Sequence, residues 1–210
     1  MKIYQMPLGM LQTNTYIVFD EISKETFVVD PATKADQIIE FLKSNELSLK
    51  AILITHAHFD HIGAVAELKE FCPIAKIYMH KNDLPKVDRT QMSRSLGMSI
   101  KTKQFCVDTF INDGDIINIA GCDIKVMFTP GHSSGSVCYI MDKTVFSGDT
   151  LFKDTYGRVN FDDGSIEDIA VSIKKLFSLD GDYQVLCGHG EGTTMSHERQ
   201  FNPILRENRV

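Results

Sequence analysis

In Lys50-Ala51-Ile52-Leu53-Ile54-Thr55-His56-Ala57-His58-Phe59-Asp60-His61, an apolar run gives way without a break to three imidazoles and a carboxylate. The run from Lys50 to Thr55 predicts a strand buried on both faces, as in the interior of a parallel sheet. Three histidines and an aspartate within six residues are a costly way to build a loop that meets only water. Imidazole and carboxylate are both ligands for a borderline divalent metal. A loop at a strand end can turn His56 and His58 toward one ion, and Asp60 and His61 toward another.

Outward from this stretch, strands and helices alternate. Before it, Asn14 to Phe19 and Glu25 to Val29 read as antiparallel strands ending in Asp30-Pro31. Ala35, Ile38, Ile39 and Leu42 then recur at helical spacing, which predicts a helix over Thr33 to Lys43 with Thr33 as its cap. After it come a helix over Ile62 to Phe71 and a strand over Lys76 to Met79. Past the turn Asn112-Asp113-Gly114-Asp115 the pattern starts again. Strands are expected over Asp115 to Ile119, Asp123 to Phe128, Ser136 to Met141, Thr144 to Phe146 and Val185 to Cys187. Ser165 caps an amphipathic helix running to Phe177, and Ser196 to Phe201 reads as a short helix. Two halves, about 1–112 and 113–210, each a sheet with helices on one side, would stack as one α/β domain. The expected fold is a four-layer αββα sandwich.

More candidate ligands stand where these strands end. His132 follows the 123–128 strand in Thr129-Pro130-Gly131-His132-Ser133, Asp149 follows the 144–146 strand in Ser147-Gly148-Asp149-Thr150, and His189 follows Cys187 in Gly188-His189-Gly190. The adjoining glycines permit sharp turns and a close backbone approach. Two ions need a shared ligand, and a carboxylate can bridge ions roughly 3.5–4 Å apart. Asp149 is the expected bridge.

The set His56-x-His58-x-Asp60-His61, His132, Asp149 and His189 resembles the metallo-β-lactamase fold hydrolases, and within them the glyoxalase II (hydroxyacylglutathione hydrolase) group. Finer matches are Thr129 to Ser136, Phe146 to Phe152, and Gly157-Arg158, and the likeness runs from about Asn14 to Pro203. The resemblance implies that His56, His58 and His132 bind one metal, that Asp60, His61 and His189 bind a second, and that Asp149 bridges them. It implies two divalent ions, zinc first, with iron and manganese suited by the same nitrogen and oxygen donors. The expected activity is hydrolysis of a small-molecule thioester such as S-D-lactoylglutathione by a metal-bridging hydroxide, with Asp60 and Asp149 as catalytic groups. Arg158, at the family's basic turn, is the expected anchor for an anionic substrate. The chain looks like the short bacterial type, which is expected to do without the glutathione-binding helical domain, and Gly190-Glu191-Gly192 stands where the longer enzymes have a tyrosine after the last ligand. Zinc β-lactamases usually lack the bridging aspartate, so β-lactam hydrolysis is not expected. Alternatives within the fold are a mono-iron persulfide dioxygenase and a lactonase; a binding module should have lost a ligand.

Composition narrows the class further. The 210 residues carry 22 Lys+Arg against 28 Asp+Glu, a net charge of −6, which counts against a phosphate-coating nucleic-acid binder. Met1 to Pro7 lacks the apolar core of a signal peptide, and no apolar stretch of about 18 residues occurs. Five cysteines without a CxxC pair read as reduced thiols, so no membrane association and a cytoplasmic location are expected. His80 and His197 read as packing or surface residues and Cys187 as a buried strand residue. Lys86 to Lys103, with weak periodicity and excess positive charge, reads as a surface loop with a little helix that could cover the site.

Overall fold

The computed structural model describes residues 1–87, 90–93 and 97–207. Its first half runs Lys2–Leu8 (β1), Thr13–Phe19 (β2), Glu25–Val29 (β3), Ala35–Ser44 (α1), Ser48–Leu53 (β4), Phe59–Ile62 (α2), Val65–Phe71 (α3), Lys76–His80 (β5), Leu84–Val87 (α4), Gln91–Ser93 (β6), Met98–Ile100 (β7) and Thr109–Ile111 (β8). The second runs Ile116–Ile119 (β9), Cys122–Phe128 (β10), Val137–Met141 (β11), Thr144–Gly148 (β12), Leu151–Phe152 (β13), Thr155–Tyr156 (β14), Ile166–Phe177 (α5), Gln184–Cys187 (β15), Thr193–Thr194 (β16), Met195–Phe201 (α6) and Ile204–Glu207 (α7). One six-stranded sheet has the order β1-β2-β3-β4-β5-β8 and the other β16-β15-β12-β11-β10-β9. Parallel pairing is confined to β3-β4-β5-β8 and β12-β15, and the other pairs within these sheets are antiparallel.

The period-two alternation of strand side chains sorts the core into three slabs. Tyr16, Val18, Ala51 and Leu53 of the first sheet meet Val137, Tyr139 and Phe146 of the second between the two sheets. Their neighbours Ile17 and Ile52 face the opposite way, onto Ile38 and Leu42 of α1 and Leu68 of α3. Cys138, Ile140 and Val145 likewise face Ile169, Ile173 and Leu176 of α5. Helix, sheet, sheet and helix are thus four layers, the αββα sandwich expected from the sequence.

Several boundaries differ from the sequence expectation. β4 begins at Ser48 and stops at Leu53, because the next two carbonyls cross to the other sheet. Ile54 O accepts from Tyr139 Oη at 2.9 Å, and Thr55 O accepts from the Val137 amide at 2.9 Å. The cap of α1 is Lys34 in a left-handed conformation, not Thr33, and no side chain bonds to the helix end there. The single helix expected over Ile62 to Phe71 is two, α2 and α3, flanking Gly63; a Cβ on Gly63 would lie 2.1 Å from Ala32 O. β1 is an addition to the sequence expectation: it is an edge strand with one buried residue, Leu8, and Pro7 breaks the pattern that marks a strand. Ser165 caps α5 as expected, accepting from Asp168 N at 3.1 Å. The stretch Lys86 to Lys103 is more ordered at its start than a surface loop: Lys86, Val87 and Gln91 are buried, and β6 pairs with β7. Residues 88–89 and 94–96 of that stretch lie outside the described residues.

Tyr139→Phe removes the donor to Ile54 O while keeping the ring. It is expected to lower stability by about 1–3 kcal/mol, the cost of an orphaned buried carbonyl, read as a reduced urea midpoint with unchanged m value.

Candidate metal centre

Every sequence-predicted ligand is brought to the seam where the two sheets meet. His56 and His58 lie in the loop after β4, Asp60 and His61 in α2, His132 after β10, Asp149 after β12 and His189 after β15. Donor atoms of His56, His58 and His132 lie within 4.8 Å of one another, as do those of Asp60, His61 and His189. Asp149 faces both groups, 3.4 Å from His132 Nε2 and 3.4 Å from His61 Nε2.

The rest of the protein fixes which atom of each ring points inward. His132 Nδ1 donates to Arg158 O at 2.7 Å, His189 Nδ1 to Leu11 O at 3.1 Å, and His61 Nδ1 to Asp30 Oδ2 at 2.9 Å. Thr55 Oγ1 donates to Asp30 Oδ2 at 2.6 Å and so receives His56 Nδ1 at 3.2 Å. Four rings therefore present Nε2 to the centre; His58 alone turns Nδ1 inward, 2.9 Å from His132 Nε2. Such outer hydrogen bonds hold a metal-binding imidazole in its tautomer and orientation. Asp60 Oδ2 accepts from Thr13 Oγ1 at 3.0 Å.

Three of the inward atoms lack partners of their own. His56 Nε2, His61 Nε2 and Asp149 Oδ1 are buried without a hydrogen bond, although an unsatisfied buried polar atom is costly. His61 Nε2 lies 3.5 Å from Asp60 Oδ2, and His189 Nε2 lies 3.3 Å from Asp60 Oδ2 and 3.5 Å from Asp149 Oδ2. Charge-assisted hydrogen bonds close to about 2.7–2.9 Å, whereas two ligands about 2.1 Å from one ion at the tetrahedral angle are about 3.4 Å apart. The donor set and its spacing fit divalent ions.

Charge divides the two groups. Burial, reinforced by the neighbouring imidazoles, holds His56 well below its ordinary pKa, and burial with His132 holds His58 at about 3. Burial also lowers His132, so this group is neutral. At the second group burial opposes charge but is outweighed. Asp149, Asp60 and Asp30 raise His61 well above its usual value, and the Asp149 and Asp60 carboxylates raise His189 to about 9. Burial would raise Asp60, but His61 and His189 hold it at about 2; Asp149 is likewise drawn well below the carboxylate range by His61 and His132.

Glycine is required where the backbone touches these groups. A Cβ on Gly188 would lie 2.1 Å from Asp149 Oδ1, and one on Gly157 would lie 1.7 Å from Asp149 O.

Sequence reasoning missed three supports. Asp30 binds His61 and Thr55 together and accepts the Thr55 amide at 2.7 Å; its signal was an acidic residue closing a buried strand. Asp83 accepts the Ala57 amide at 2.7 Å. Gln91 donates to Ala57 O at 2.9 Å and accepts from Phe59 N at 3.1 Å. Neither of these last two stands in a pattern that sets it apart in the sequence. Arg158 is exposed, its guanidinium 5.6 Å from the Phe161 ring centre, with no carboxylate at ion-pair distance among the described residues. Phe161 in turn packs on His58 and His132, so Arg158 stands at the rim. His80 packs on Phe128, His197 pairs with Asp154, and Cys187 is fully buried.

Comparison with known proteins gives a consistent result. A family model described as the Metallo-beta-lactamase superfamily matches residues 8–189. The "Probable metallo-hydrolase YqgX" of Bacillus subtilis is 35% identical over 98% of this chain and 98% of its own length. "Hydroxyacylglutathione hydrolase GloC" of Haemophilus influenzae is 30% identical over 98% of each. The crystal structure of BLEG-1 B3 metallo-beta-lactamase superposes with TM-score 0.89 at 35% identity, over 97% of this chain and 99% of that one. TTHA1623, crystallised in a di-iron-bound form, superposes with TM-score 0.84 at 34% identity, over 95% and 98%. Among the described residues no helix is long and apolar enough to cross a membrane.

A metal-ligating histidine must be neutral, yet without metal His61 and His189 carry protons at pH 7. Ion binding is therefore expected to release protons at pH 7 and to tighten as pH rises toward 9, read as buffer-dependent heats in calorimetric titration. The sign for the metal-free fold is opposite. His189 is raised from about 6.5 to about 9, so its stabilising effect is complete below the first value and lost above the second. Gly188→Ala is expected to weaken ion binding at least about tenfold, about 1.4 kcal/mol, with an unchanged far-ultraviolet circular dichroism spectrum.

Proposed function

The chain belongs to the Metallo-beta-lactamase superfamily, whose members are generally metal-dependent hydrolases, and from that premise we propose that it is a binuclear hydrolase of small acyl thioesters. The observation that carries the reading is Asp149, largely buried and ionised, with one oxygen toward His61 and the other toward His132 and His189. It would be the shared ligand of two ions, with His56, His58 and His132 holding one and Asp60, His61 and His189 the other. Bound there, a pair of divalent ions supplies an acidified water and polarises the scissile carbonyl.

The protein's own groups do the positioning. Asp60, fixed by the Thr13 hydroxyl, accepts a hydrogen bond from the attacking water and orients it. Asp60 and Asp149 are both ionised at neutral pH, so neither serves as a general acid. That suits a leaving group able to depart as an anion, and a thiolate, with a free-thiol pKa of about 8.5, meets the need. The relative named as a hydroxyacylglutathione hydrolase supports the same substrate class. The exposed guanidinium of Arg158, beside the Phe161 ring, offers an anionic acyl-thiol a charged contact next to an apolar one. Zinc, iron and manganese all suit the donors, and the di-iron form of TTHA1623 supports iron among them.

The test is metal content together with hydrolysis of S-D-lactoylglutathione, followed as loss of thioester absorbance, with a β-lactam and a persulfide as comparison substrates. About two ions per chain and preferential thioester turnover are expected. Faster β-lactam hydrolysis, or oxygen uptake with the persulfide on a single iron, would overturn the assignment. Asp149→Ala is expected to leave at most one ion and to lower kcat/KM about a thousandfold, about 4 kcal/mol. Arg158→Ala should raise KM about tenfold with kcat nearly unchanged, the signature of lost uniform binding.

A further inference from the structure

Beside the group of three imidazoles lies an ion-pair chain, buried at Asp83 and Lys86 and reaching half-buried Asp163, that the reaction described above does not use. Asp83 is fully buried and Lys86 nearly so. Lys86 Nζ donates to Asp83 Oδ1 at 2.7 Å and to Asp163 Oδ2 at 2.6 Å. The two Asp83 oxygens accept four donors. Oδ2 takes the Ala57 amide at 2.7 Å and the Ser133 hydroxyl at 2.9 Å, while Oδ1 takes the Gly135 amide at 2.9 Å as well as Lys86. Ala57 stands between His56 and His58, and Ser133 directly follows His132. One oxygen atom thus ties together the two loops that carry the three imidazoles, although these loops belong to different sheets. At the far end of the chain, Asp163 accepts the Ser134 amide at 2.8 Å, holding the His132 loop a second time.

The other candidate ligands are held differently. His61 is oriented by Asp30, Asp60 by Thr13, and His189 by Leu11 O, while Asn14 donates to Cys187 O and Gly190 O on either side of His189. None of these contacts runs through Asp83.

We propose that Asp83, charge-balanced by Lys86, is a positioning residue that sets the spacing of His56 and His58 against His132 and thereby governs occupancy of that ion site alone. The proposal rests on the binuclear reading of the centre. A carboxylate is needed because an amide has one acceptor oxygen: in Asp83→Asn, two of the four donors lose their acceptor whichever way the group turns. Close packing adds a second handle. A Cβ on Gly135 would lie 2.6 Å from Asp83 Oδ1 and 2.7 Å from Asp83 N, so Gly135→Ala displaces Asp83, carboxylate and backbone together, without altering a polar group.

The experiment compares Asp83→Asn and Gly135→Ala with the unaltered chain by cobalt titration, following the visible absorption of the bound ion, together with imidazole nitrogen chemical shifts of the metal-free proteins. Both variants are expected to keep one tightly bound ion, to weaken the other at least tenfold, and to move the His58 and His132 shifts while leaving those of His61 and His189 in place. Equal weakening of both ions, wild-type affinity for both, or shifts unchanged at His58 and His132 would overturn the proposal. An unaltered chain that binds fewer than two ions would defeat the binuclear reading instead. The metal-free shifts would still decide whether Asp83 fixes the two loops.

Discussion

The constraint on which the structure depends is a knot of five imidazoles and two carboxylates, three of whose inner atoms, His56 Nε2, His61 Nε2 and Asp149 Oδ1, have no hydrogen-bond partner. Such a knot is unfavourable by itself: burial strips the groups of water, and neighbouring rings discourage one another's charge. It persists because the outer atoms are held from every side, by the Arg158 and Leu11 carbonyls, by Asp30 through His61 and Thr55, and by Thr13 through Asp60. The glycines at 157 and 188 follow from the same demand, since each stands where a side chain would occupy the space of Asp149. The strand ends, sheet-to-sheet hydrogen bonds and buried ion pairs near the centre read as consequences of keeping these inner atoms aimed at one place.

The two ends of the knot solve the electrostatic problem in different ways. Around His56, His58 and His132 the rings stay neutral although the ionised Asp149 carboxylate lies 3.4 Å from His132 Nε2, with the Asp83 and Lys86 pair one layer back. Around His61 and His189, protons stand in for positive charge between Asp60 and Asp149. A cation arriving at the first end meets neutral rings, and one arriving at the second must displace protons. The donors are chemically similar, but the two sites differ in their coupling to pH.

Much of this architecture was legible in the sequence because its signals are local. A buried strand such as Ala51 to Leu53 followed directly by polar ligands, and glycines beside His132, Asp149 and His189, are read within a few residues. The supports were not legible for the opposite reason. Asp83, Lys86 and Gln91 act on groups 26 to 77 positions away, and in the sequence they sit in an unremarkable charged stretch. The strand end at Leu53 was misplaced for the same cause: Ile54 and Thr55 are apolar and β-branched enough to continue β4, but their carbonyls are claimed by Tyr139 and Val137 of the other sheet. Local pattern predicts where ligands stand, and distant partners decide how they point.

The order in which the ligands occur along the chain has a consequence during synthesis. His56, His58, Asp60 and His61 leave the ribosome together, well before His132, Asp149 and His189. Until the second sheet forms, Val137 and Ser133 are not in place to fix the first loop, and the emerging half offers four donors with no enforced geometry. Such a fragment would take up whichever ion binds flexible imidazoles most strongly, and copper leads that order. The complete donor set exists only once Gly188 has packed against Asp149, so any geometric selection among ions belongs to the finished chain and not to its first half.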